Sequence, residues 1–154
     1  MRMPRPSIPL LLTLAAFAFA GCAKVDAEAK KSSASRVEAI DGSSIKRVVL
    51  NPGAEKRLDI QTAKVREATP QEIVGIPAGL SSRSVIPYEA LIYDKTGATF
   101  TYTNPKDLDY VRAAITVDGI KDKVVVLSAG PPLGTPVVTV GAVLLYGVET
   151  GVGK

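Results

Sequence analysis

Apolar and polar positions alternate with a period of two between Ser84 and Thr103, in SVIPYEALIYDKTGATFTYT. Ile86, Tyr88, Ala90 and Ile92 share one face of the first arm. On the second arm Ala98, Phe100 and Tyr102 alternate with Thr99, Thr101 and Thr103. That period is the signature of a half-buried strand, so the stretch is expected to form an antiparallel pair. Asp94-Lys95-Thr96-Gly97 supplies the connection, a type I turn followed by a left-handed Gly97, which closes a hairpin with a G1 bulge. This turn sets Asp94 against Ala98, Ile92 against Phe100 and Ala90 against Tyr102, and every apolar residue then falls on one side. A register one residue shorter sets Ile92 against Thr99 and mixes the faces.

The same reading extends along the chain. Ile45 to Leu50 predicts a short strand, and Asn51-Pro52 an N-cap with proline at the first helical position, opening a helix of under two turns over Gly53 to Leu58. Ile60 to Ala68 is expected to be extended, with Ile60, Thr62 and Val65 facing inward. Pro70, Gly75, Pro77 and Gly79 leave no room for a long helix between Thr69 and Ser82, and Gln71 to Ile76 is expected to be a brief edge strand. Asn104 to Asp107 reads as a loop. Val111, Ala113, Ile115 and Val117 then alternate as a strand that Asp118-Gly119 ends. Val124 to Leu127 is continuously apolar, as a strand buried on both faces would be. Gly130-Pro131-Pro132-Leu133-Gly134 is a turn. Val137 to Val140 is a last strand, and Ala142 to Tyr146 either a short helical turn or a closing strand. The expected fold is an all-β domain over residues 45–148, a β-roll or small barrel-like sandwich of antiparallel strands, followed by a tail at 149–154.

Residues 1–21 follow a different pattern. Arg2 and Arg5 precede an apolar run from Ile8 to Ala20, about thirteen residues long. A bilayer-spanning helix needs about twenty, whereas a basic head and a short apolar middle fit a secretory signal. The one cysteine of the chain follows at once, in Phe19-Ala20-Gly21-Cys22, which resembles the lipobox of bacterial lipoproteins. The resemblance implies that Cys22 carries a diacylglycerol thioether and anchors the protein on the extracytoplasmic side of a bacterial membrane. Residues 22–44 are dominated by Ala, Lys, Ser, Glu and Asp without apolar periodicity and read as a flexible tether.

Charge and chemistry narrow the function classes. The net charge is +4, from 19 basic and 15 acidic residues; losing Arg2 and Arg5 with the signal leaves 17 against 15, or +2. With no basic stripe interleaved with aromatics, nucleic acid is not an expected partner. A single cysteine excludes an internal disulfide. The chain has no histidine, which removes the commonest general base and the commonest metal ligand. Asp107 with Asp109, and Asp118 with Asp122, are acidic neighbours in expected loops, without the glycine-centred ligand ladder of a calcium loop. The proline-rich turn lacks the lysine and helix of a phosphate loop. Tyr88, Tyr93, Phe100, Tyr102 and Tyr110 are expected mainly in the core. No cofactor and no enzymatic activity are expected.

Four stretches, VVLNPGAEKRLDIQTAKV (48–65), VIPYEALIYDKTGATFTYT (85–103), YVRAAITV (110–117) and VVVLSAGPPLGTPVVTVGAVLLYG (124–147), resemble in order the membrane-proximal segments of bacterial periplasmic adaptor subunits, the membrane-fusion proteins of efflux pumps. In that family a lipoyl-like domain, an α-helical hairpin and a β-barrel are inserted where only about twenty residues join Val65 to Val85 here. Asp59 also stands where the family has glycine. The resemblance implies a membrane-proximal β-roll alone, docking on a transporter permease. The outward threonines Thr99 and Thr101, the loop residues Pro105 and Lys106, and Leu133 are the candidate partner-binding positions. The rival expectation is a lipoprotein that binds a small molecule or a lipid between its sheets.

Overall fold

In the computed structural model, which describes residues 33–76 and 83–152, the chain opens with β1 (Ser35–Ala39) and β2 (Lys46–Leu50). They pair antiparallel, Ser35 opposite Leu50 and Ala39 opposite Lys46. The strand β1 lies in what the composition presents as tether. An edge strand is held by backbone hydrogen bonds, so its exposed Arg36 and half-buried Val37 and Glu38 carry no strong apolar signal.

Asn51 then caps α1 (Pro52–Leu58) as expected, its Oδ1 accepting from the Ala54 N–H at 2.7 Å with Pro52 at the first helical position. The helix ends at Asp59 in the left-handed region (φ 47°), the conformation that favours glycine. Next come β3 (Gln61–Lys64), β4 (Arg66–Glu67) and a one-turn helix α2 (Pro70–Ile73). Val65 is buried between β3 and β4, whereas Thr62 is exposed. The expected edge strand at Gln71 to Ile76 is instead this turn, because Thr69 and Glu72 form a capping box and the Thr69 N–H donates to the Glu72 carboxylate at 2.8 Å.

The central hairpin keeps its turn but not the whole of its first arm. That arm divides into β5 (Ser84–Pro87), a 3-10 turn over Tyr88–Ala90, and β6 (Ile92–Tyr93). Ile92 pairs with Phe100 of β7 (Thr99–Lys106), and Gly97 has φ +85°, both as the turn chemistry dictates. Asp94 Oδ1 accepts from the N–H groups of Thr96 (2.7 Å) and Ala98 (3.0 Å), which fixes the loop. Tyr88 is exposed rather than inward, because the Pro87-Tyr88 junction leaves the strand and the Leu91 N–H donates to the Tyr88 carbonyl.

From Asp109 the chain runs through β8 (Asp109–Ala114), turns at Ile115 into β9 (Thr116–Lys121), and returns as β10 (Val124–Ala129). Asp118-Gly119 does not end a strand. Asp118 is the extra residue of a bulge, and Gly119 is placed so that a Cβ would lie 2.9 Å from Ile76 Cδ1. The reversal comes at Asp122-Lys123, both with positive φ, as a two-residue primed turn requires. The strand β11 (Pro136–Val140) and α3 (Ala142–Thr150) complete the fold. The residues expected as a tail therefore include the last turn of α3, with Glu149 buried.

The first sheet has the order β1-β2-β8-β7-β11-β3, with β6 added alongside β7; the second is β4-β5-β10-β9. Both are open, so the architecture is all-β and sandwich-like rather than a closed barrel. The helices α1 and α3 cover one face of the first sheet around Val48, Phe100, Tyr102, Tyr110, Val138 and Leu145. The second sheet covers the other face around Val65, Ile86, Ile115, Val125, Leu127 and Val137. These elements belong to one unit, Ser32–Lys154.

Candidate functional site

Of the positions the sequence offers for a partner, the threonine pair is withdrawn. Thr103 lies opposite Val137, so Thr99, Thr101 and Thr103 share the face of β7 that turns toward the second sheet. Thr101 is 0% exposed, and Thr99 and Thr103 donate their hydroxyls to the carbonyls of Ile115 (2.7 Å) and Val111 (3.0 Å). Alternation correctly separates this face from Phe100 and Tyr102. What it misses is that a central strand has something on each side. Thr101 Oγ1 is buried without a hydrogen-bond partner.

Pro105 and Lys106, by contrast, are exposed at the end of β7. The tip beyond them is held rigidly. Asn104 Nδ2 donates to the carbonyls of Lys106 (2.8 Å) and Asp109 (2.9 Å), the Leu108 carbonyl accepts from the Leu50 N–H at 3.0 Å, and Leu108 has φ +67°. A non-glycine residue kept in that region by its surroundings is a feature that clusters at binding surfaces.

Leu133 is 57% exposed. Because β11 runs antiparallel to β7 with Val137 opposite Thr103, the loop before Pro136 lies at the same end of the first sheet as Pro105 and Lys106. That loop is pinned to the junction of the two sheets: the Gly134 N–H donates to the Val65 carbonyl at 2.8 Å, and the Val65 N–H to the Thr135 carbonyl at 2.9 Å. Leu133 with Pro131 and Pro132 forms one wall of a shallow cleft of about 330 Å³, and Glu67, Arg83, Ser84 and Ser128 line the rest. The Arg83 guanidinium lies 3.9 Å from Asp118 and donates to the Ile76 carbonyl at 3.3 Å. An apolar side chain beside partly buried charge and two hydroxyls is suited to holding an extended peptide or a loop.

Under α3 lies a polar group that sequence reasoning does not find. Glu149, 6% exposed, accepts from the Tyr102 hydroxyl and from Arg112 Nη2 at 2.8 Å. Arg112 lies over the Phe100 ring, 5.0 Å from its centroid. Burial first, and then the Glu149 carboxylate, push the Tyr102 pKa well above the ordinary tyrosine value. Tyr110 is displaced the same way by burial and by Glu55, whose Oε1 accepts its hydroxyl proton at 2.6 Å. The available signal was Glu149 itself, the one charge in an otherwise apolar helix. On the surface, Glu72 is held down at about 2 by Arg66, with the Thr69 N–H second. This carboxylate caps α2.

Among the described residues there is no cluster of three or more acidic, histidine or cysteine side chains that could hold a metal ion, and no helix is long and apolar enough to cross a membrane. Asp109 lies 4.0 Å from Arg47, and Asp118 faces Arg83, so each acidic pair contributes one member to a charge contact. Cys22, with the signal and most of the tether, lies outside the described residues. No family model, no curated protein and no solved structure matches the chain.

Proposed function

We propose that this protein is a non-enzymatic lipoprotein of the bacterial envelope, anchored through Cys22, that acts as a minimal adaptor-like docking module for a membrane transporter. The observation carrying the docking part is Leu133, presented at the rim of a cleft by a loop that Gly134 and Thr135 fasten to Val65 and that shares one end of the sheet with the rigid Pro105–Leu108 tip. An exposed leucine on a rigid loop loses little conformational freedom on binding, which favours a protein partner over a solvated surface role. The anchor and the transporter rest on the lipobox and on the resemblance to adaptor subunits.

A photo-crosslinking amino acid at Leu133 in native membranes tests this reading, with exposed Lys95 as the control position. The expected result is an adduct with an integral membrane transporter subunit at 133 and none at 95, and Leu133→Asp should abolish its recovery while the melting temperature holds. If position 133 yields no membrane protein, the docking role fails and the lipid- or ligand-binding alternative takes its place. Membrane fractionation of Cys22→Ser reads the anchor separately: retention of a processed, membrane-bound form removes the lipidation.

A further inference from the structure

The helix α3 is apolar on both sides. Ala142, Leu145 and Glu149 face the core, yet on the outside Val143 is 69% exposed, Leu144 51%, and Val152 just past the helix 78%. With Leu58 and Tyr146 they border an open groove of about 510 Å³ that no charged side chain lines. A helix that is apolar all round is normally covered on all sides, and a contiguous exposed apolar patch marks a contact surface.

Two further observations bear on what covers it. First, Ser33, where the described chain begins, borders a second groove together with Val148 and Val152, which also line the first. Ser33 is eleven residue steps beyond Cys22, which allows at most about 40 Å fully extended and roughly half of that as a coil. A lipid on Cys22 therefore keeps the bilayer within reach of α3. Second, no charged side chain lines the groove, so nothing ionic has to lose its water when the groove is covered. Lys56 and Arg57 precede Leu58 in the last turn of α1, and Arg36 lines the second groove, paired with Glu38 at 2.5 Å. Of the acids, Asp59 accepts from Gln61 Nε2 at 3.0 Å, and Glu149 is turned inward. An uncharged apolar face within tether reach of a lipid anchor is one that can rest in a lipid interface.

We infer that the outer face of α3, with Val143, Leu144 and Val152 at its centre, rests on the surface of a phospholipid bilayer. This deepens the anchored reading and relies on it for the length of the tether. It gives the domain a fixed orientation, with α3 toward the lipid.

The test separates the anchor from the surface. The full chain is coupled through Cys22, its one cysteine, to a maleimide lipid in vesicles of phosphatidylglycerol and phosphatidylethanolamine, so attachment does not depend on natural processing. An environment-sensitive fluorescent amino acid is placed at Leu144 or, as control, at the exposed Ile120 of β9, and lipids with nitroxides in their acyl chains are the quencher. The expected result is quenching severalfold stronger at 144 than at 120, lost in Val143→Glu. Equal quenching at both positions overturns the inference whether or not Cys22 is lipidated in cells. So does protection of position 144 that depends on protein concentration and not on lipid, which assigns the patch to a second copy of the chain.

Discussion

Thr101 shows how much one side chain can reveal about the layers around it. Its hydroxyl is buried and unpaired, a state that costs about 1–3 kcal/mol when nothing accepts or donates. Thr101→Val should therefore be neutral or raise stability by up to about 1 kcal/mol, read by urea unfolding. Thr101→Lys should prevent folding or lower the melting temperature steeply, whereas a lysine on a solvated strand face would leave it unchanged. Glu149 is the opposite situation, a buried acid with both carboxylate oxygens engaged. Glu149→Ala leaves Arg112 and the Tyr102 hydroxyl without their acceptor and should cost about 3 kcal/mol. Glu149→Gln keeps an acceptor for Tyr102 and should cost clearly less in the same unfolding experiment.

At the level of elements, the hairpin turn offers the cleanest test. Gly97 sits at φ +85° with nothing within 4 Å of where a Cβ would be. Gly97→Val thus adds no clash and acts through backbone strain alone, about 1–2 kcal/mol, measurable as a lower urea midpoint at unchanged slope. Local chemistry made this turn, the Asn51 cap and the buried β10 legible, because each depends on neighbours a few residues away. The two sheets were not legible from the same pattern. Val65 and Ile115 are points where the chain leaves one sheet for the other, and alternation continues through such a corner without a break. The polar edge strand β1 was hidden for a related reason, its partner being backbone rather than an apolar face. Of the candidate docking positions, Pro105, Lys106 and Leu133 are exposed as expected, although Pro105 and Lys106 lie at the end of β7 rather than in a loop and Pro131, beside Leu133's turn, is buried. Thr101 is not, since polarity on a strand does not say what packs opposite. Removing β1, by starting the chain at Ile45 rather than Ser33, should uncover the β2 edge and increase aggregation, scored by light scattering at equal concentration.

For the whole molecule, the two buried tyrosines set an alkaline limit. Tyr102 and Tyr110 both have pKa values raised above the ordinary value of 10.0. The unfolded chain gives up these protons near pH 10 while the native state keeps them, so their stabilising contribution is complete below that pH and is lost as pH rises beyond it. Each should remove about 1 kcal/mol of stability between pH 10 and 11, the slope approaching about 1.4 kcal/mol per pH unit above that. A Tyr102→Phe, Tyr110→Phe protein should show a correspondingly flatter dependence of stability on pH between 10 and 11.

The pairing of β3 with β11 also has a consequence in time. Lys64 meets Pro136, 72 positions further along, and β11 is the only sheet neighbour that β3 has among the described residues. A chain emerging N-terminus first can form the β1-β2 hairpin and α1 early, but β3 then waits roughly 4–14 s at ordinary synthesis rates for its partner. Through that interval Val65 and one edge of the nascent sheet are bare, and closing so long a loop is itself slow. Until β11 has emerged, Ile60 to Val65 is therefore the stretch of the growing chain that stays longest without its sheet partner.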